Sequence, residues 1–180
     1  MPHQKWDLSF LLNLNQINSR KMTPEAKKHI SRMSNPFIFW WAMLFKLPSA
    51  VFWRLKIKDL SLEKCVVTIP YFWRSQNPFK SIYFAAMAGA AELSTGALCQ
   101  VGMAGKGSFS MLVVDFRAEY HKKANQKITF VCNQGQELEK TVDELKPGES
   151  NTITMVSTGT NPDGEMVARF FVTWSIKRKS

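Results

Sequence analysis

The chain has 180 residues, 45% hydrophobic and 21% charged, a balance that fits one globular domain with its own core and excludes a disordered polymer. Lys and Arg outnumber Asp and Glu by 24 to 14, for a net charge of +10, so an anionic partner is expected: nucleic acid, a membrane surface or a phosphate-bearing ligand. Cys65, Cys99 and Cys132 have no metal-ligand spacing and no secretory cleavage pattern opens the chain, which points to a reducing, cytoplasmic setting.

Residues 1–50 read as an amphipathic helical arm. Thr23-Pro24-Glu25-Ala26 opens a helix with a capping Thr and a Pro in the first turn, and Lys27, Lys28 and Arg32 give it a basic face. Asn35-Pro36 ends that piece, and residues 37–45 form a second helix rich in Trp and Phe, closed by Lys46-Leu47-Pro48. This apolar stretch is too short to span a bilayer, which takes about 20 residues. From Val51 the period becomes two: Phe52, Arg54, Lys56 and Lys58 alternate with Val51, Trp53, Leu55 and Ile57, as in a half-buried strand. Residues 60–63 read as a turn and residues 64–73 as the hairpin partner.

A loop, Arg74-Ser75-Gln76-Asn77-Pro78, leads into an apolar run over residues 81–101 built largely from Ala, Gly and Ser. Ala85, Ala86, Ala88, Gly89, Ala90 and Ala91 predict a buried helix that approaches a sheet closely. Glycine inside a helix costs up to ~1 kcal/mol relative to alanine, so Gly89 marks a tight contact. Glu92 is the one charge in this run. Taking a carboxylate out of water costs several kcal/mol unless partners compensate, and burial raises its pKa towards the range useful for a general base. Two readings follow. Glu92 is a structural acid bonded to Ser94, Thr95 or a partner's backbone, or it is a functional one. The central charge also argues against a membrane span here.

After a glycine-rich turn at residues 102–107, strands are expected over residues 108–120, 127–134, 152–157 and 166–177. Pro147-Gly148 marks a polar turn over residues 143–150, and Asn161-Pro162-Asp163-Gly164 is a hairpin signal. Two strands, one long helix and a run of antiparallel strands make an α+β fold with the helix packed on one sheet.

The order strand, strand, loop with Asn, helix with one acid, then strands resembles the hotdog-fold acyl-CoA thioesterase superfamily. In its branch of phenylacetate-pathway thioesterases an Asn is followed six residues on by His-Gly-Gly, and the catalytic acid lies nine residues beyond the His. Here Asn77 precedes Tyr83 by six and Glu92 follows it by nine, and Val114-Asp115-Phe116 through Tyr120 to Ala124 is similar to the family's next strand. The chain is most similar to uncharacterised members that keep the acid and lose the His-Gly-Gly. The resemblance covers residues 51–176. It implies a hotdog domain over residues 51–180, a curved antiparallel sheet around a central helix, preceded by the arm at 1–50.

The resemblance also implies hydrolysis of acyl-CoA or another acyl thioester, with no cofactor beyond the coenzyme A of the substrate. Glu92 would be general base or nucleophile, the Phe84 backbone N–H the oxyanion donor, Asn77 an orienting group, and Tyr83 a hydroxyl donor in place of the imidazole. Ala85, Ser94 and Thr95 join the substrate-binding set, with Lys80 and Arg74 as cations for the coenzyme's phosphates. A homodimer or homotetramer is implied, since the family's site lies between subunits. Tyr83-Phe84-Ala85 replaces His-Gly-Gly, and Val113 stands where some relatives place a Ser that holds the water.

Plainer assignments stand beside these. Asn77 before Pro78 is a turn residue, Tyr83 a core residue, and His121 part of a solvated strand end. His3 and His29 are too scattered for a metal site. The strands lack the exposed aromatics and basic glycine-rich pattern of an RNA-binding sheet, so no nucleic acid is expected. Two other functions remain open. One is a non-catalytic hotdog that binds acyl chains or acyl thioesters. The other is a peripheral membrane protein that uses Trp40, Trp41 and Trp53 with Lys46, Arg54 and Lys56 as an interfacial anchor. For that arm, packing on the fold or at a subunit interface is the plainer alternative.

Overall fold

The computed structural model describes residues 22–180; His3 and the first part of the expected arm lie outside the described residues. The arm supplies three helices, α1 (Pro24–Ser34), α2 (Pro36–Lys46) and α3 (Pro48–Phe52). Each has Pro in its first turn, where a missing N–H costs nothing and the fixed φ suits a helix. The Thr23 side chain accepts from the Ala26 N–H at 3.1 Å and donates to the Ala104 carbonyl at 2.7 Å, so one hydroxyl caps α1 and ties it to the chain beyond the central helix. The Asn35 carboxamide accepts from the N–H groups of Phe37 and Ile38 and caps α2.

Strand β1 covers Lys56–Leu60 and β2 covers Cys65–Ile69. Both are shorter than the alternation suggests. Pro48 starts a helical turn through Phe52, and Arg54 then takes a positive φ of 54°, so pairing cannot begin until Lys56. At the other end Pro70 has no N–H to give the ladder, and β2 stops at Ile69. The long helix α4 (Phe84–Met103) follows, then β3 (Phe109–Tyr120), β4 (Ile128–Cys132), α5 (Gly135–Glu144), β5 (Ser150–Thr160) and β6 (Met166–Arg178).

Helix α5 is absent from the sequence-based expectation. Only Leu138 and Val142 mark an apolar face in this charged segment, and Gln134 gives no side-chain cap. Tertiary contact supplies what the pattern lacks. Leu138 packs against Gly102 of α4, where an added Cβ would meet it at 2.7 Å.

The six strands form one antiparallel sheet in the order β1-β2-β4-β5-β6-β3, curved around α4: the hotdog architecture. Ala86, Ala90, Ala97, Leu98 and Val101 of α4 meet Val67, Ile128, Phe130, Met155 and Phe170 of the strands in one core. Ala26, Phe39, Met43 and Ala50 of the arm belong to that same core. Among the described residues, no helix is long and apolar enough to cross a membrane.

Phe130 on β4 lies opposite Gly159 on β5, and the ring covers the glycine: a Cβ there would sit 2.5 Å from its edge. Phe130 and Phe170, both fully buried, meet edge to face with ring centroids 5.6 Å apart. Gly159→Ala therefore overpacks a site with no slack and should cost about 1–3 kcal/mol. A lowered urea midpoint at unchanged m-value is the expected observation.

Candidate active site

The entry into α4 is held from both sides. The Ile82 N–H donates to the Ala124 carbonyl at 2.7 Å, and the Tyr83 N–H donates to the Ser75 carbonyl at 2.7 Å. Tyr83 is the N-cap residue and offers no side-chain cap. The N–H groups of Phe84 and Ala85, at the first helical positions, have no acceptor within the helix, and the positive end of the helix dipole lies there.

On the outer face of α4, Phe84, Ala85, Ala88, Gly89 and Glu92 fall at helical spacing and form one wall of a groove of about 500 Å³. Phe116, Ala118 and Tyr120 of β3 form the opposite wall, and Leu47 and Trp53 of the arm close one end. The small residues give the groove its depth. Trp53 lies across Gly89, where a Cβ would meet the indole at 2.9 Å, so the tight contact expected of this glycine is made with the arm and not with the sheet.

Glu92 differs from the buried acid that the sequence suggested: its side chain is exposed on the open face of α4. Apolar groups still crowd it on the groove side, and that desolvation pushes its pKa up. Among the described residues no hydrogen bond or ion pair reaches its carboxylate. Ser94 and Thr95 do not serve it. The Ser94 hydroxyl is buried towards the sheet, donating to the Ala91 carbonyl at 2.7 Å and meeting the Ser157 hydroxyl at 2.8 Å. The Thr95 hydroxyl donates to the main-chain carbonyl of Glu92 and accepts from the Trp174 indole, both at 3.0 Å.

The remaining candidates are dispersed. The Asn77 side-chain oxygen accepts from the N–H groups of Phe79 and Ser81 at 3.0 and 3.1 Å, the geometry of a turn residue. Tyr83 is exposed with its ring against Phe84, contrary to its expected place in the core. Lys80 is exposed on the same loop with φ of 55°. Arg74 lines a different cavity, beside β1. Of the expected set, the groove thus gathers Glu92, Phe84 and Ala85.

It also gathers residues that motif reading did not assign, Tyr120 and Ser49 among them. Burial pushes the Tyr120 phenol up from its ordinary value. On its other side Glu92 borders a crevice beneath α1 and α2 that also holds His29, Arg32 and Lys46. Burial holds the His29 imidazole below its ordinary pKa. Separated by more than sixty positions from Glu92, His29 carried no local signal of this approach.

Solved structures that share this fold are similar over nearly their whole length. A protein of unknown function from Chlorobaculum tepidum is 14% identical, with a TM-score of 0.68 over 83% of this chain and 99% of its own. A Pseudomonas aeruginosa protein described as a probable thioesterase is 17% identical, with a TM-score of 0.65 over 81% and 98%. A thioesterase from Haemophilus influenzae is 12% identical, with a TM-score of 0.58 over 97% and 93%. No curated protein matches the chain. A family model described as a domain of unknown function (DUF4442) matches residues 36–176, from the start of α2 into the last residues of β6, and the chain belongs to that family.

Proposed function

We propose that the protein hydrolyses an acyl thioester, with acyl-CoA as the substrate class, in the groove between α4 and β3. The observation that carries this reading is the pairing, on one helix face, of a carboxylate of raised pKa with the N–H groups at the helix start, both without a partner among the described residues. The hotdog fold and its resemblance to proteins described as thioesterases support it.

In the proposed reaction Glu92 takes a proton from a water molecule as the water oxygen bonds to the thioester carbonyl carbon. Negative charge develops on the carbonyl oxygen, where the Phe84 N–H and the helix dipole stabilise it. The carbonyl re-forms, the C–S bond breaks, and the thiolate takes the proton back. Eight residues of helix separate the two groups, about 12 Å along the axis. Side chains lean towards the helix N-terminus, which shortens the gap and lets the substrate lie along Ala85, Ala88 and Gly89. The wide positive surface offers the coenzyme's phosphates a complementary field.

Non-catalytic binding of an acyl thioester is favoured by one observation, the commitment of the Asn77 oxygen to its turn, which leaves no amide oxygen to orient the water. A dimer belongs to the proposal as well. Strand β3 is the sheet's free edge, twelve residues long, and its exposed Leu112 (67%) and Val114 (52%) leave an unpaired apolar ribbon. We assign that edge to pairing with a second copy of the chain.

Thiol release from a series of acyl-CoA chain lengths should be seen with the parent and fall by at least about 100-fold in Glu92→Gln, the scale of a lost general base. The parent rate should rise with pH through a midpoint above the ordinary glutamate range. Turnover in neither protein, with acyl-CoA still bound, would establish the binding reading; equal turnover in both would remove Glu92 from the chemistry.

The same substitution separates chemistry from structure. A raised folded-state pKa means that the contribution of Glu92 to stability is present at acid pH and is lost as pH rises through that pKa. Thermal unfolding should therefore be equal for parent and Glu92→Gln at acid pH, with the variant at least as stable at neutral pH. A variant that is less stable at neutral pH would make the carboxylate structural. Sedimentation should show a dimer that the Leu112→Lys, Val114→Lys double variant converts to monomer.

A further inference from the structure

Helix α2 presents two unlike faces. Phe39 and Met43 enter the core. Phe37, Trp41 and Phe45, four residues apart, form a continuous aromatic stripe on the outside, with ring centroids 6.3 Å apart at each step. Phe37 and Phe45 are 72% and 79% exposed. Large apolar side chains gathered in one exposed row mark a contact surface.

Next to this helix, between the arm and β1, lies a cavity of about 700 Å³. Arg54, Lys56, Lys58 and Arg74 line it together with Trp40 and Pro36, and among the described residues no carboxylate does. The two lysines share one face of β1 while Ile57 between them goes to the core. The Arg74 guanidinium is stacked on Phe52, Phe72 and Trp73, and its Nε is buried with no acceptor. Arg54 lies over Phe72 at 4.9 Å. Among the described residues none of the four cations makes an ion pair. Four like charges around one cavity repel one another, and an anion placed among them relieves that repulsion.

We infer that α2 docks the protein on an anionic bilayer, its aromatic stripe entering the headgroup boundary while the adjacent cationic cavity receives a lipid phosphate. Tryptophan and phenylalanine beside Lys and Arg are the composition that settles at that boundary. Charge selects the occupant. A second copy of this chain would bring the same four cations to the same face, so self-association there is opposed, whereas an anionic leaflet attracts them. The face also lies beside β1, at the opposite edge of the sheet from β3, so docking leaves the proposed dimer edge free.

The test is flotation of the full chain with vesicles of phosphatidylcholine alone or mixed with phosphatidylglycerol. The chain should float with the mixed vesicles and not with the neutral ones. Lys56→Gln with Lys58→Gln should weaken the partition by about tenfold or more, given roughly 1 kcal/mol for each cation near such a surface. Phe37→Ser with Trp41→Ser should abolish a blue shift of tryptophan emission on binding; all four side chains are solvent-facing, and circular dichroism checks that the variants keep the fold. Failure to float with anionic vesicles overturns the inference. So does flotation that both double variants retain, or an aromatic variant that changes only the oligomeric state, which would make the stripe a protein contact.

Discussion

Close packing around α4 is the constraint on which the rest of this molecule depends. Three of its glycines are covered by large side chains from three different directions: Trp53 of the arm over Gly89, Trp174 of β6 over Gly96, and Leu138 of α5 over Gly102. Each would clash with a Cβ or touch it closely, so helix, sheet, arm and α5 can reach their positions only because those side chains are missing. Glycine in a helix is unfavourable by itself, and the dispersion and burial gained by each covering side chain offset that cost. The sheet curves because its concave side must stay in contact with a helix this thin.

The same choice of residues opens the groove. On the side of α4 that faces the β3 edge and the arm, Ala85, Ala88 and Gly89 leave space that β3 does not fill, and Glu92 stands at its end. A residue that was half core and half solvent would ordinarily be aliphatic. Placing a carboxylate there leaves it crowded by apolar groups yet without a donor among the described residues, and its affinity for protons rises. The polar groups that could have quenched it are used elsewhere: the Ser94 and Thr95 hydroxyls satisfy carbonyls and an indole inside the fold. Packing and chemistry are thus set by one helix, its inner face for stability and its outer face for the candidate site.

Charge is distributed with similar economy. Acidic residues near the basic groups pair mainly at the periphery, as Lys64 does with Asp59 and Lys106 with Asp143, and such exposed pairs add little to stability. Among the described residues the cations beside β1 have no such partners, and the two arginines, Arg54 and Arg74, are supported by aromatic rings instead. Cation–π contact holds a guanidinium in place without neutralising it, so the charge stays available to a ligand. The groove and the cationic cavity flank the segment around Leu55, which borders both, and that segment is fixed by the positive φ of Arg54.

Much of the fold was legible in the order of the residues. Thr23-Pro24 announced a helix start because capping and fixed φ act within one turn, and Asn35-Pro36, read as the end of that helix, also caps and opens the next. The Ala- and Gly-rich run announced a closely packed helix, and strand-like stretches set off by turn signals announced β3, β4, β5 and β6. The run of small residues also singled out Glu92. Contacts between distant segments were not legible. Helix α5 has too few apolar positions to declare itself and exists because Gly102 receives Leu138. Val51 and Phe52 alternate like a strand yet are helical, since Pro48 and Arg54 act on the backbone more strongly than the alternation does. Asn77 and Glu92 keep a family-like spacing, but hydrogen bonds in its own turn bind the Asn77 oxygen. By itself, then, the sequence determined the class of fold, the central helix and the residue at its heart, all of which rest on local stereochemistry and periodicity. Which side of that helix faces water, which side chains share its groove, and which cations gather beside β1 were decided only by tertiary structure, because each depends on the direction in which separate segments approach.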